Sequence, residues 1–224
     1  MKKSILRMVW TVVITVMFCI LYMTCNDSGA GSGNPDPRAD EFVKKFNRPS
    51  ESGSGNDSYE TVIIGGKKWM TKNLNVETVD SWCYENSMDS CAKYGRLYTW
   101  DAAMTACQLI GLRLPFKEEW EDLVSAVGGE NIAGKKLKST RGWDDFNGNN
   151  GNGTDEFGFS ALQGGYHNSG DYSVDVGKIG YWWTATELVG SHAYRRNIYY
   201  KYDKVYEDNY FKIDGFSVRC VKND

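Results

Sequence analysis

Apolar residues follow three different rhythms along this chain. Between Met8 and Met23 they run for sixteen residues without a charge, behind Lys2, Lys3 and Arg7. Across residues 26–58 they thin out among Gly, Ser, Asp, Asn and Pro. From Tyr59 onward they alternate or recur at helical spacing, as packed elements require. Residues 59–64 and 67–70 flank Gly65-Gly66. A glycine pair supplies the positive φ values of a tight turn, so this segment predicts an opening β-hairpin with Trp69 facing inward.

Two helices follow in the pattern. Trp100, Ala103, Met104 and Cys107 share one face, with Thr99 placed to cap it. After Pro115, taken as a first-turn proline, Trp120, Leu123, Val124 and Val127 form a second stripe that Gly128-Gly129 ends. Glu118, Glu119 and Glu121 lie in its first half, where carboxylates complement the helix dipole. Apolar strands are expected at 180–186, 193–201 and 216–221. The whole reads as α+β, two helices beside a loop-rich antiparallel sheet.

The first rhythm has the form of an export signal, a basic start followed by an apolar run too short for a spanning helix of about 20 residues. Cys25 stands where a bacterial lipoprotein signal places its lipidated cysteine. Tyr22, Met23 and Thr24 fit that motif poorly, and Ser28-Gly29-Ala30 offers a rival cleavage site. The second rhythm cannot bury enough apolar surface to offset chain entropy, so residues 26–58 read as a flexible tether. Three of the four prolines lie before residue 58. The division is therefore a signal segment at 1–25, a linker at 26–58 and one domain at 59–224.

A net charge of −3 offers no long-range attraction to nucleic acid. In an exported domain, Cys83, Cys91, Cys107 and Cys220 suggest disulfides, and four cysteines allow three pairings. Cys83 with Cys91 is the local choice, which leaves Cys107 with Cys220. Zinc is disfavoured by the absence of a Cys-x-x-Cys pair.

Several motifs then occur in a recognisable order. They include Gly65-Gly66 with Trp69-Met70, Tyr94-Gly95-Arg96-Leu97-Tyr98-Thr99-Trp100, Arg113-Leu114-Pro115 with Glu119-Trp120, Phe157-Gly158-Phe159-Ser160-Ala161-Leu162, Trp183-Thr184-Ala185-Thr186-Glu187 and Phe216-Ser217-Val218-Arg219-Cys220. From Tyr59 to the C-terminus this resembles the Fibrobacter succinogenes major paralogous domain. Phe116 stands where that family usually has a small capping residue, and Gln163 where it often has proline. More remotely, the chain is similar to the formylglycine-generating enzyme and C-type-lectin-like fold. The resemblance implies an exported, often lipidated protein of a fibre-degrading bacterium, and a C-type-lectin-like domain.

No nucleophile elbow, zinc-protease motif or phosphate-binding glycine loop is present. The related oxidase chemistry needs a reactive cysteine pair, whereas these cysteines are better used as disulfides. The expectation is a non-enzyme. Asp145, Asn147, Asn149 and Asp155 are candidate oxygen ligands for calcium, although Asn150 replaces the glycine that an EF-hand-like loop requires. Aromatic residues crowd the last third, and Trp143, Trp182, Tyr194 and Tyr199 are the candidate ligand platforms. The expected role is recognition of plant cell-wall polysaccharide at the cell surface or outer membrane. The alternatives are an envelope module that binds envelope proteins, or an enzyme of unknown reaction.

Overall fold

The computed structural model describes residues 59–222. The segments expected as export signal and tether, and Cys25 with them, lie outside the described residues. No helix among the described residues is long and apolar enough to cross a membrane.

The chain opens on the expected hairpin, β1 (Thr61–Ile64) and β2 (Lys67–Met70), paired from Thr61↔Met70 to Ile64↔Lys67. Gly65 and Gly66 have φ values of 60° and 76°. A Cβ on Gly65 would also stand 2.9 Å from the Asp122 carbonyl, so the turn needs glycine for close approach as well as for conformation. Trp69 is buried, and its indole N–H donates to the Ile64 carbonyl. Next come β3 (Ser81–Trp82), a short 3-10 turn at Tyr84–Asn86, α1 (Met88–Tyr94) and β4 (Leu97–Tyr98), with β4 paired to β3.

Helix α2 (Trp100–Leu109) is capped as expected, the Thr99 hydroxyl accepting from the Ala102 N–H. Helix α3 (Lys117–Ala126) buries Trp120, Leu123 and Val124. It begins later than a first-turn proline would place it. Pro115 precedes the cap position, and the Glu119 carboxylate accepts from the Phe116 N–H in place of a capping side chain. The same carboxylate takes both arms of Arg113 at 2.5 and 2.6 Å.

Four α-helices, rather than the two expected, are present among the described residues. Helix α1 carries Cys91, in a segment where no helix was expected. Helix α4 (Glu130–Leu137) follows the Gly128-Gly129 break. It packs so tightly on the chain at Asp203 and Lys204 that a Cβ on Gly134 would come within 2.7 Å of both carbonyls.

The main sheet contains β5 (Gly164–Asn168), β6 (Tyr172–Val176), β7 (Ile179–Glu187), β8 (His192–Tyr199) and β9 (Val205–Phe211). Its order is β6-β5-β7-β8-β9, antiparallel except where β5 meets β7 at Gly165↔Gly180. Strand alternation divides the adjacent tryptophans of β7 between two cores. Trp182 joins Trp69, Trp120 and Phe159, whereas Trp183 joins Tyr98, Cys107 and Phe216.

The expected strand at 216–221 is instead a seam of single bridges. Phe216 pairs with Tyr98, Ser217 with Trp182, and Val221 with both Trp69 and Arg113. It passes several different elements and bridges each at a single residue rather than pairing along one neighbour. The Lys222 N–H also reaches the Lys68 carbonyl. Both expected disulfides are present: Cys83–Cys91 ties α1 to the end of β3, and Cys107–Cys220 ties α2 to the seam.

Arg219 lies at the centre of the seam, fully buried. Its guanidinium donates to Asn73 Oδ1 (2.6 Å), Met70 O (2.9 Å), Phe159 O (2.8 Å) and Ser160 O (2.8 Å). Asn73 Oδ1 also accepts from the Trp182 indole N–H, and Asn73 Nδ2 donates to Tyr94 O. Asn73→Ala leaves two buried donors unpaired, one of them charged. The expected loss is about 3–5 kcal/mol, against under about 0.5 kcal/mol for an exposed control such as Ile63→Ala. Urea denaturation in non-reducing buffer measures both.

Candidate functional site

The candidate residues do not form one cluster. Trp182 is wholly buried, and Trp143 is 3% exposed with its indole N–H shared between Ser139 Oγ and Ala161 O. Neither ring has a free face, so both are corrected from ligand platforms to core residues. Tyr194 and Tyr199 are half-buried. Five residues apart on one strand, they point to opposite sides of the sheet and lie about 17 Å apart along it. Tyr194 lies beneath the Lys117 ammonium, while the Tyr199 hydroxyl accepts from Asn197 Nδ2.

The proposed calcium ligands also separate. Phe146 and Asn149 exchange two backbone hydrogen bonds around Asn147 and Gly148, whose φ values are 51° and 77°. This is a primed two-residue turn, the ordinary use of an Asn-Gly pair. Asp145, Asn147 and Asn149 are exposed along it. Asp155 belongs to another contact, its carboxylate accepting from both the N–H and the hydroxyl of Ser160. Among the described residues, no three His, Cys, Asp or Glu side chains converge as a metal-binding group.

Aromatic rings are concentrated in two places on the sheet. One is closed: Arg195 covers Tyr181, Tyr210 and Phe216 at 4.5, 4.2 and 4.6 Å from their ring centres. The other is open. Around the β8–β9 turn and the Asn-Gly turn lies a cleft of about 360 Å³, lined by Lys135, Lys138, Phe146, Asn149, Asn150, Tyr200, Lys201, Tyr202 and Asp203. Phe146 meets Tyr200 edge-on at 5.7 Å. Tyr202 is 45% exposed and Phe146 38%. Behind the turn, Tyr199, Tyr202 and Tyr206 form a triangle with centroids 5.3–6.1 Å apart. A larger cleft of about 620 Å³ lies between the end of β2, α1 and Ser160. Its rim carries the Glu60–Lys72 ion pair, and its one aromatic residue, Tyr94, is buried.

Lys138 is the residue that shapes the open cleft. It directly follows α4 and is 1% exposed. Its ammonium donates to the carbonyls of Tyr199, Tyr200 and Tyr202 at 3.5, 3.3 and 3.2 Å. Three carbonyls satisfy three donors, so this one side chain holds the turn in place. Burial lowers its pKa to about 8, with Lys135 reinforcing the shift and Asp203 opposing it.

A family model described as the Fibrobacter succinogenes major domain matches residues 62–222. The chain belongs to that family. No curated protein and no solved structure matches it. The match to the Fibrobacter succinogenes major domain covers both disulfides, the Arg219 seam and the whole cleft.

Lys138, Phe146 and Lys201 were not legible as site residues. The only local sign was an Asn-Gly turn in one segment and a tyrosine-rich turn in another, with nothing in the sequence to bring them together.

The linkage of Lys138 has a definite sign. Its folded value lies below its ordinary 10.5, so the charged form opposes folding below about pH 8. That penalty fades as pH rises toward 10.5. Relative to Lys138→Met, the natural chain should therefore gain stability between pH 8 and 10.5. Denaturant midpoints across that range test this, and a flat difference counts against it.

Proposed function

We propose that this domain is a non-catalytic polysaccharide-recognition module of the bacterial cell envelope, with the β8–β9 cleft as its binding site. The observation that carries this reading is the pairing of exposed Phe146 and Tyr202 rings with the polar groups of Asn149, Asn150, Asp203 and Lys201 around one cleft. Sugar rings present apolar C–H faces and polar rims, and such a wall offers a partner for each. The rings are already braced by Tyr199, Tyr200 and Tyr206, so little side-chain entropy is lost on binding.

Export fits the apolar N-terminal run and the two disulfides, which persist in oxidising compartments. In this reading Cys25 carries the lipid, residues 26–58 form the tether, and the domain works at the cell surface. A C-type-lectin-like arrangement accords with the helix-to-seam disulfide Cys107–Cys220.

The test is co-sedimentation of the detergent-solubilised full chain with insoluble cellulose and xylan. Tyr202→Ala and Phe146→Ala should each weaken retention about 2- to 10-fold without moving the unfolding midpoint substantially. Retention indifferent to both variants removes the cleft from the account. Failure to bind either polymer favours the alternative, a module that docks envelope proteins, which cross-linking in intact cells would then detect.

A further inference from the structure

Charge around the open cleft is unbalanced. Lys201 is exposed, and its ammonium stands over the rings of Tyr202 and Phe146 at 5.0 and 5.8 Å. Lys138 contributes a second cation, hydrogen-bonded only to uncharged carbonyls. Among the described residues, neither lysine has a carboxylate within ion-pair distance. Lys135 adds a third cation and donates to the Asn152 carbonyl. Asp203 is the one acidic residue among those lining the cleft. The chain as a whole carries a net charge of −3, so the positive cleft is a local feature set against the overall balance.

A buried ammonium lacking a counter-ion is an expensive feature. Its three hydrogens are already used by the turn, so it acts on a ligand as a fixed charge rather than as a donor. Lys201, exposed at the rim, supplies the free N–H groups. The aromatic rings between them carry partial negative faces that hold the Lys201 cation in place. We infer that the cleft selects anionic polysaccharide, with a carboxylate or sulfate of the sugar held by Lys201 over the field of Lys138 and the sugar ring against Tyr202 and Phe146. This rests on the polysaccharide reading above and names its substrate class.

The experiment compares four polymers against the full chain in detergent: polygalacturonate, dextran sulfate, xylan and unsubstituted dextran, at low and moderate salt. Retention on polygalacturonate, on dextran sulfate or on both should exceed that on the neutral polymers, and which of the two is retained identifies the anion. Added salt should reduce that excess. Lys201→Gln should weaken anionic binding about 2- to 5-fold and neutral binding less, so that the ratio of anionic to neutral retention falls. Asp203→Asn should strengthen anionic binding by about twofold, a gain that damage to the fold would not produce. Equal retention of neutral and anionic polymers, with Lys201→Gln silent, overturns the charge selection and leaves polysaccharide binding standing. Retention of none of the four overturns both.

Discussion

The Arg219 guanidinium is sealed from water and must find every acceptor inside the chain. It draws them from the end of β2, from Asn73 just beyond it and from the 159–160 segment. None is a carboxylate, so the cation is solvated by peptide and amide dipoles, with the Phe159 ring 4.7 Å away. Such a centre works only if all its contributors arrive together. Asp155 fixes the 159–160 segment by holding Ser160 in a left-handed conformation, φ 49°. Asn73 passes the same constraint to Trp182, and thereby to the middle of β7. One buried charge thus ties the end of β2, the 159–160 segment and, through Asn73, the middle of β7 together.

The cleft repeats that solution at smaller scale. Lys138 is also buried and also solvated by carbonyls, here the three exposed at the end of β8 and the turn beyond it. Glycine enables both approaches: Gly134 lets α4 lie on the turn, and Gly153 passes so near Lys138 that a Cβ there would meet the Lys138 carbonyl at 2.1 Å. The turn that presents Tyr202 and Lys201 is thus braced from beneath by a cation. Its side chains stay exposed at the surface while the backbone beneath them is already satisfied.

Local patterns were legible in the sequence, and distant ones were not. Gly65-Gly66 announces its hairpin because turn geometry is decided by four consecutive residues. The α3 stripe is equally clear. The disulfide pairing followed from a short loop and a count of four. By contrast, α4 has Ala133, Gly134 and Leu137 as its buried face, too little apolar surface to register as a helix. Trp182 and Trp183 are adjacent, and their burial in separate cores depends on the sheet having a packed layer on each face. Trp143 was expected as an aromatic platform, but Ser139 and Ala161 take its N–H into the interior. Lys138 gave no sign at all, since the carbonyls that solvate it come from residues about sixty positions away.

The seam brings the two ends of the described domain onto one hairpin, with Glu60 bonded to Thr71 and Lys222 to Lys68. A pulling force applied at Tyr59 therefore acts first on β1, whose pairing with β2 begins at its outer end and can peel one hydrogen bond at a time. Beyond it, β2 is held by Cys220 and Val221 through the seam, and the Cys107–Cys220 bond fastens that seam covalently to α2. Mechanical load would be spent on a sacrificial strand, and the aromatic cleft would keep its shape while that strand gives way.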